Sequence, residues 1–195
     1  PVSVDQGIQQ LNEELDHFFE NLDKAPKKVL RITMGSGKTT IGRMLAEVLN
    51  LKFVDLDLEI EKKCGANIPW IFDMEGEEGF RKRESRMLLE LVSQIGVVLA
   101  TGGGAIVSEE NRNTLKNNGY VVYLDAPVGK LLERTSHDQS RPLLQAGNPR
   151  EVLEKLALDR DYLYQEIANL VLITDKRKPQ LVADEIANEV RHFIC

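Results

Sequence analysis

Met34-Gly35-Ser36-Gly37-Lys38-Thr39-Thr40, directly after the short β-rich run Val29-Leu30-Arg31-Ile32, decides how this chain is read. Behind it, Ile41, Met44, Leu45, Val48 and Leu49 recur at helical spacing, so the glycine turn lies where a strand hands over to a helix. In that setting, unhindered backbone amides can wrap phosphate oxygens. Gly35 and Gly37 permit close approach of the backbone around Ser36. Lys38 supplies a point charge for the β- and γ-phosphates, the Thr39 hydroxyl suits Mg²⁺, and Thr40 adds a hydroxyl near the α-phosphate. A Gly-Ser-Gly turn alone is a common helix start; the added Lys-Thr-Thr makes it a nucleotide site.

The same stretch departs from the full GxxxxGK pattern, which places its first glycine at position 32, where this chain has Ile32 between Arg31 and Thr33. A β-branched side chain fits poorly in such a turn. The departure reads either as an altered loop that holds nucleotide less tightly or as a misread segment.

Outward from this point, short β-rich runs alternate with amphipathic helical stretches, as a parallel sheet with crossover helices requires. Strands are expected at 29–32, 53–55, 97–100, 121–124 and 171–174, in one open α/β sheet with helices on both faces. A last helix should bury Leu181, Val182, Ile186, Val190 and Phe193. Residues 136–149 form the one polar, breaker-containing stretch long enough for a mobile lid. Ahead of the domain at 27–195, residues 1–26 carry Ile8, Leu11, Leu15, Phe18 or Phe19 and Leu22 on one helical stripe. Packing on the domain is the favoured role for that stripe, with partner docking the alternative.

Composition narrows the classes. The chain has 195 residues, 42% of them hydrophobic, enough for one self-supporting core. Its 31 acidic and 25 basic residues give a net charge of −6, which repels nucleic acid and anionic lipid, so phosphate recognition must be local. Cys64 and Cys195 build neither a disulfide framework nor a zinc cluster, and a reducing cytosol is expected. No apolar run has bilayer-spanning length. The acidic stretch Asn12-Glu13-Glu14-Leu15-Asp16 argues against a transit peptide.

The acceptor side is drawn from four further stretches. Phe53-Val54-Asp55-Leu56-Asp57 places two carboxylates at the carboxyl edge of a strand, suited to a metal's water shell and to an acceptor hydroxyl, or to plain helix capping. Gly76-Glu77-Glu78-Gly79-Phe80-Arg81-Lys82-Arg83-Glu84 starts a long helix whose arginine could offer two parallel donors to a carboxylate, although most such charges face water. Thr101-Gly102-Gly103-Gly104-Ala105 exposes amides that no side chain obstructs. Ser140-Arg141-Pro142 puts an arginine in the expected lid, where it could meet transferring phosphate.

From about Lys28 to the C-terminus this set resembles the shikimate kinase family, in the family's order. The stretches above, with Ile68-Pro69-Trp70-Ile71-Phe72 and Arg160-Asp161-Tyr162-Leu163-Tyr164, carry the resemblance. It implies a P-loop, nucleoside-monophosphate-kinase-like three-layer fold with a five-stranded parallel sheet and a mobile lid. It also implies MgATP-dependent phosphorylation of the shikimate 3-hydroxyl, on the route to chorismate and aromatic amino acids.

Carried over by motif, Asp57 would bind the shikimate hydroxyls and act as catalytic base, with Lys38 and Arg141 as the other catalytic groups. Arg81 and Arg160 would grip the carboxylate, Gly102, Gly103 and Gly104 would bracket the ring, and Asp55 with Thr39 would hold Mg²⁺. Arg134, Arg177 and Pro179 would line the adenine. A monomer is expected, with shikimate and ATP as its only partners. The rivals are another small-molecule kinase of this architecture, for gluconate or a nucleoside monophosphate, and a silent homologue suggested by Ile32. His17, His137, His192 and Trp70 receive no chemical role.

Overall fold

The computed structural model describes residues 28–32, 37–135 and 148–194. The expected N-terminal helix and nearly all of the expected lid lie outside the described residues. Five strands, β1 (Lys28–Ile32), β2 (Lys52–Asp55), β3 (Val97–Ala100), β4 (Tyr120–Asp125) and β5 (Leu170–Ile173), form one sheet in the order β2-β3-β1-β4-β5. All four neighbouring pairs are parallel. Parallel neighbours need crossovers. These are α1 (Lys38–Leu49), α2 (Leu56–Cys64) and α3 (Ile68–Val92), then α4 (Glu109–Asn117), α5 (Val128–Thr135) and α6 (Pro149–Ile167), with α7 (Pro179–Ile194) closing the chain.

Alternation along the strands sorts the core into two layers. Tyr120, Val122 and Leu124 of β4 and Val98 of β3 pack with Ile41 and Leu45 of α1 and with Val182 and Ile186 of α7. Val121, Tyr123, Val97 and Leu99 turn the other way, against Ile60, Ile71, Leu88 and Leu163 from α2, α3 and α6. The period of two thus builds helices on both faces.

Some boundaries shift from expectation. Thr174, expected as strand, lies beyond β5, where its amide donates to the Asp125 carbonyl at 2.8 Å. The expected last-helix stripe includes Leu181, but that residue is exposed at the start of α7. Residues 148 and 149, counted with the lid, instead start α6: the Asn148 side chain caps it and Pro149 occupies its first turn, where no amide partner is needed. The long helix begins at Ile68 rather than near Gly76, and Gly76 breaks it with φ 69° and ψ −179°. Among the described residues, no helix is long and apolar enough to cross a membrane.

Candidate active site

In open α/β sheets the ligand crevice lies outside the carboxyl ends of the strands, at the switch in strand order. Here the first turn of α1 and the residues following β2 and β3 meet at that edge. Gly37 is the N-cap of α1 in left-handed conformation (φ 92°, ψ 18°), with no side-chain cap and no acid in the first turn. By contrast, side chains of Asp55, Asn67, Ser108 and Asn148 cap α2, α3, α4 and α6. The first amides of α1 therefore have no N-cap side chain to accept from them, as an anion site needs.

Lys38, from the first turn of α1, reaches across to the end of β2. Its Nζ donates to Asp57 Oδ2 at 3.1 Å and stands 3.7 Å from Asp55 Oδ2. Thr39 Oγ1 donates to the same Asp55 oxygen at 3.3 Å. The other Asp55 oxygen accepts the Asp57 amide at 3.1 Å and closes the N-terminus of α2. Capping and site chemistry, alternatives in the sequence, are divided here between two oxygens of one buried carboxylate.

A second group lies where α3 and α6 flank the glycine turn after β3. Arg81 Nη1 donates to Glu84 Oε2 at 2.8 Å, and Nη2 donates to Glu77 Oε1 at 3.0 Å. Two of the five N–H donors of the Arg81 guanidinium are thus engaged within α3. Burial opposes the Arg81 charge, but the two glutamates together raise its pKa.

Glu84 is only 1% exposed. Burial pushes its carboxyl above the ordinary 4.5, Arg81 pulls it partly back, and Asp57 adds to the rise. Its Oε1 and the Thr101 hydroxyl are buried with no hydrogen-bond partner among the described residues. Sequence reasoning did not single out Glu84. The signal was its position three residues after Arg81 on a helix, a spacing that pairs side chains, but Glu77 and Glu78 offered the same sign nearby.

The glycine turn is more crowded than the expected unobstructed surface. A Cβ at Gly102 would stand 2.8 Å from Asp57 Oδ1 and 3.3 Å from Glu84 Oε1, and one at Gly104 would collide with the Arg81 guanidinium. At these two positions a side chain could be added only if the Asp57 carboxylate or the Arg81 guanidinium moved aside. Between them, the Gly103 carbonyl accepts from Arg160 Nη1 at 3.2 Å and from the Tyr164 hydroxyl at 2.6 Å.

Arg160 is 8% exposed, and among the described residues no carboxylate stands in ion-pair contact with it. Burial, above all, lowers its pKa and neighbouring Arg81 lowers it further, against partial opposition from Tyr164, Glu77 and Glu84. A buried guanidinium with no direct ion pair is costly, and an arriving anion would offset that cost.

On the nucleotide side, a recess of about 240 Å³ beside Gly37 is lined by Thr40, Ile41, Thr174, Arg177, Pro179 and Val182. Arg177 is held by Glu185 at the start of α7. Gly35, Ser36 and Arg141 lie outside the described residues, as does the side chain of Arg134 on α5. A larger hollow of about 520 Å³ between α2 and α3, beside Cys64, lies away from the strand ends. Its cations are paired, Lys63 with Glu90, Lys82 with Glu78 and Arg83 with Glu75.

A lysine and threonine opening a helix behind a glycine turn, set against two aspartates on a nearby strand end, define a P-loop kinase of small molecules. Comparison with known proteins narrows the class. A shikimate kinase family model matches residues 34–191, beginning two positions after Ile32. The shikimate kinase of Vibrio cholerae is 52% identical over 161 residues, which cover 83% of this chain and 92% of that protein. That of Pseudomonas aeruginosa is 55% identical over 158 residues, covering 81% and 92%. Among solved structures, shikimate kinase from Acinetobacter baumannii in complex with shikimate gives a TM-score of 0.84 at 47% identity. It covers 87% of this chain and 95% of that one. The chain belongs to the shikimate kinase family, and is by family an ATP-using phosphotransferase.

Proposed function

We propose that this protein transfers the terminal phosphoryl group of ATP to the 3-hydroxyl of shikimate, giving shikimate 3-phosphate and ADP in aromatic amino acid biosynthesis. The observation that carries the acceptor assignment is Arg160, a buried guanidinium beside Arg81 and the glycine turn with no carboxylate in ion-pair contact among the described residues. On a chain of net charge −6, an anionic acid needs such local charge to enter. Asp57, at the edge of the same space, takes the acceptor hydroxyl, orients it and receives its proton. Gly102, Gly103 and Gly104 flank the ring, and the orphaned Glu84 Oε1 suits a hydroxyl-rich ligand.

On the donor side, the amides around Gly35, Ser36 and Gly37 receive the phosphates with Lys38 and Thr40. The recess lined by Arg177 and Pro179 takes the base, with Arg134 beside it. Lys38 exchanges its carboxylate partners for phosphate oxygens as ATP binds. The Thr39 hydroxyl and Asp55, 3.3 Å apart, fit Mg²⁺ held by one hydroxyl, a carboxylate through water, and phosphate. When bound, the ion neutralises charge on the phosphate oxygens. Arg141, from the expected lid, balances charge developing on the transferred group. Lid closure over both substrates makes ATP hydrolysis slow until acceptor is present.

ADP release measured with shikimate added and omitted tests this reading. Turnover only with shikimate supports it; equal rates with and without remove the closure argument. Turnover with gluconate or a nucleoside monophosphate in place of shikimate assigns a different acceptor.

A further inference from the structure

We propose that Tyr164 is a positioning residue for the acceptor: its hydroxyl, with Arg160, clamps the Gly103 peptide and thereby shapes the glycine turn against which the acceptor lies. The inference rests on the acceptor assignment above and adds a residue that the motif reading gave no role.

The turn has little to hold it from within. Its backbone hydrogen bonds run from the Ala105 amide to the Gly102 carbonyl at 3.2 Å and from the Val107 amide to the Gly104 carbonyl at 3.0 Å. The Gly103 carbonyl instead takes its two donors from side chains of α6. Three consecutive glycines lose more conformational freedom on ordering than any other residues would. The orientation of the central peptide therefore depends on what α6 supplies.

Tyr164 suits that duty better than Arg160. It is 3% exposed, and its ring stacks on Tyr123 with centroids 4.6 Å apart and planes 11° from parallel. Tyr123 is itself tied by its hydroxyl to Asp161 at 3.0 Å. The phenol is thus a rigid strut on two packed elements, whereas Arg160 must also answer an incoming anion. A carbonyl oxygen has two lone pairs. With the tyrosine on one of them, Arg160 commits a single N–H to the turn and keeps its other donors available. Without it, the charged guanidinium becomes the only donor to that carbonyl and is drawn from the ligand. No peptide here is cis, so the Gly104 N–H points opposite to the Gly103 carbonyl, away from α6. Fixing one end of this peptide aims the other.

The test compares Tyr164→Phe with Tyr123→Phe. Each removes one hydroxyl and keeps the stacked rings, but only the first touches the turn. Tyr164→Phe should raise KM for shikimate about tenfold, the scale of one lost neutral hydrogen bond, with KM for ATP and kcat within about twofold. Tyr123→Phe should leave KM for shikimate unchanged. Amide exchange across residues 101–107, followed by mass spectrometry on the substrate-free protein, should accelerate about tenfold in Tyr164→Phe and not in Tyr123→Phe. Unchanged exchange in Tyr164→Phe, or equal effects of the two variants on the turn or on KM, overturns the clamp. If wild-type protein ignores shikimate while exchange responds as stated, the acceptor assignment fails and the clamp on the turn stands.

Discussion

Lys38 Nζ lies 3.1 Å from Asp57 Oδ2, so the phosphate-loop cation and the acceptor-side carboxylate hold one another. ATP must compete for that lysine. Asp57→Asn should lower kcat by about 10²- to 10⁴-fold, the usual range for a lost general base. The same change should leave ATP binding unchanged or a few-fold tighter, because a competing ion pair is gone. A coupled assay and a calorimetric ATP titration read the two effects separately. Near-normal kcat in this variant removes Asp57 from the chemistry.

Arg160 makes a sharper case, since stability and binding should move in opposite directions. Replacement by Met removes a buried charge with no ion-paired carboxylate among the described residues, so Tm should hold or rise. KM for shikimate should climb by about 100-fold or more, with KM for ATP unchanged. Arg160→Lys should rescue little, because an ammonium lacks the planar fork. A Met variant with unaltered KM for shikimate refutes the carboxylate role.

Glu84 predicts a pH dependence of definite sign. Burial, the largest cause, raises its carboxyl above 4.5 in the folded protein. Between 4.5 and the folded value, the native state therefore holds a proton that the unfolded chain has released, and stability falls as pH rises through that window. Glu84→Gln abolishes the titration. The difference in Tm, variant minus wild type, should increase as pH rises from 4.5 and level off above the folded value. A difference that is flat or declines with pH contradicts a raised carboxyl.

Ile32 predicts a gain of function. It is the last residue of β1, paired with Leu124 of β4, at the position where the phosphate-loop pattern calls for glycine. Ile32→Gly should lower KM for ATP, by restoring the glycine that the phosphate-loop pattern calls for, and leave KM for shikimate alone. No change in KM for ATP means that the loop tolerates the side chain.

Much of this organisation could be read from residue order. Strand positions followed from β-rich runs, and helices on both faces of the sheet from the amphipathic stretches between them, because both patterns are local properties. Lys38, Thr39, Asp55 and Asp57 were legible because each sits within two residues of a strand or helix end. Glu84 and Tyr164 were not. Each becomes distinctive only through contacts with the glycine turn, which lies 18 to 20 residues from Glu84 and 60 to 62 from Tyr164 in the chain. Spacings of four and three residues along a helix do favour pairing of Arg81 with Glu77 and Glu84, but they do not tell whether an external ligand displaces those partners.

Asp55 caps α2 with one carboxylate oxygen and is assigned to Mg²⁺ through the other, so the two roles are separable by one atom. Asparagine caps helices about as well as aspartate, so Asp55→Asn should fold with nearly unchanged Tm yet turn over poorly and respond weakly to added Mg²⁺. Such a lineage would pass every test of solubility and shape while its catalytic competence decayed unseen, and only a flux measurement would expose it.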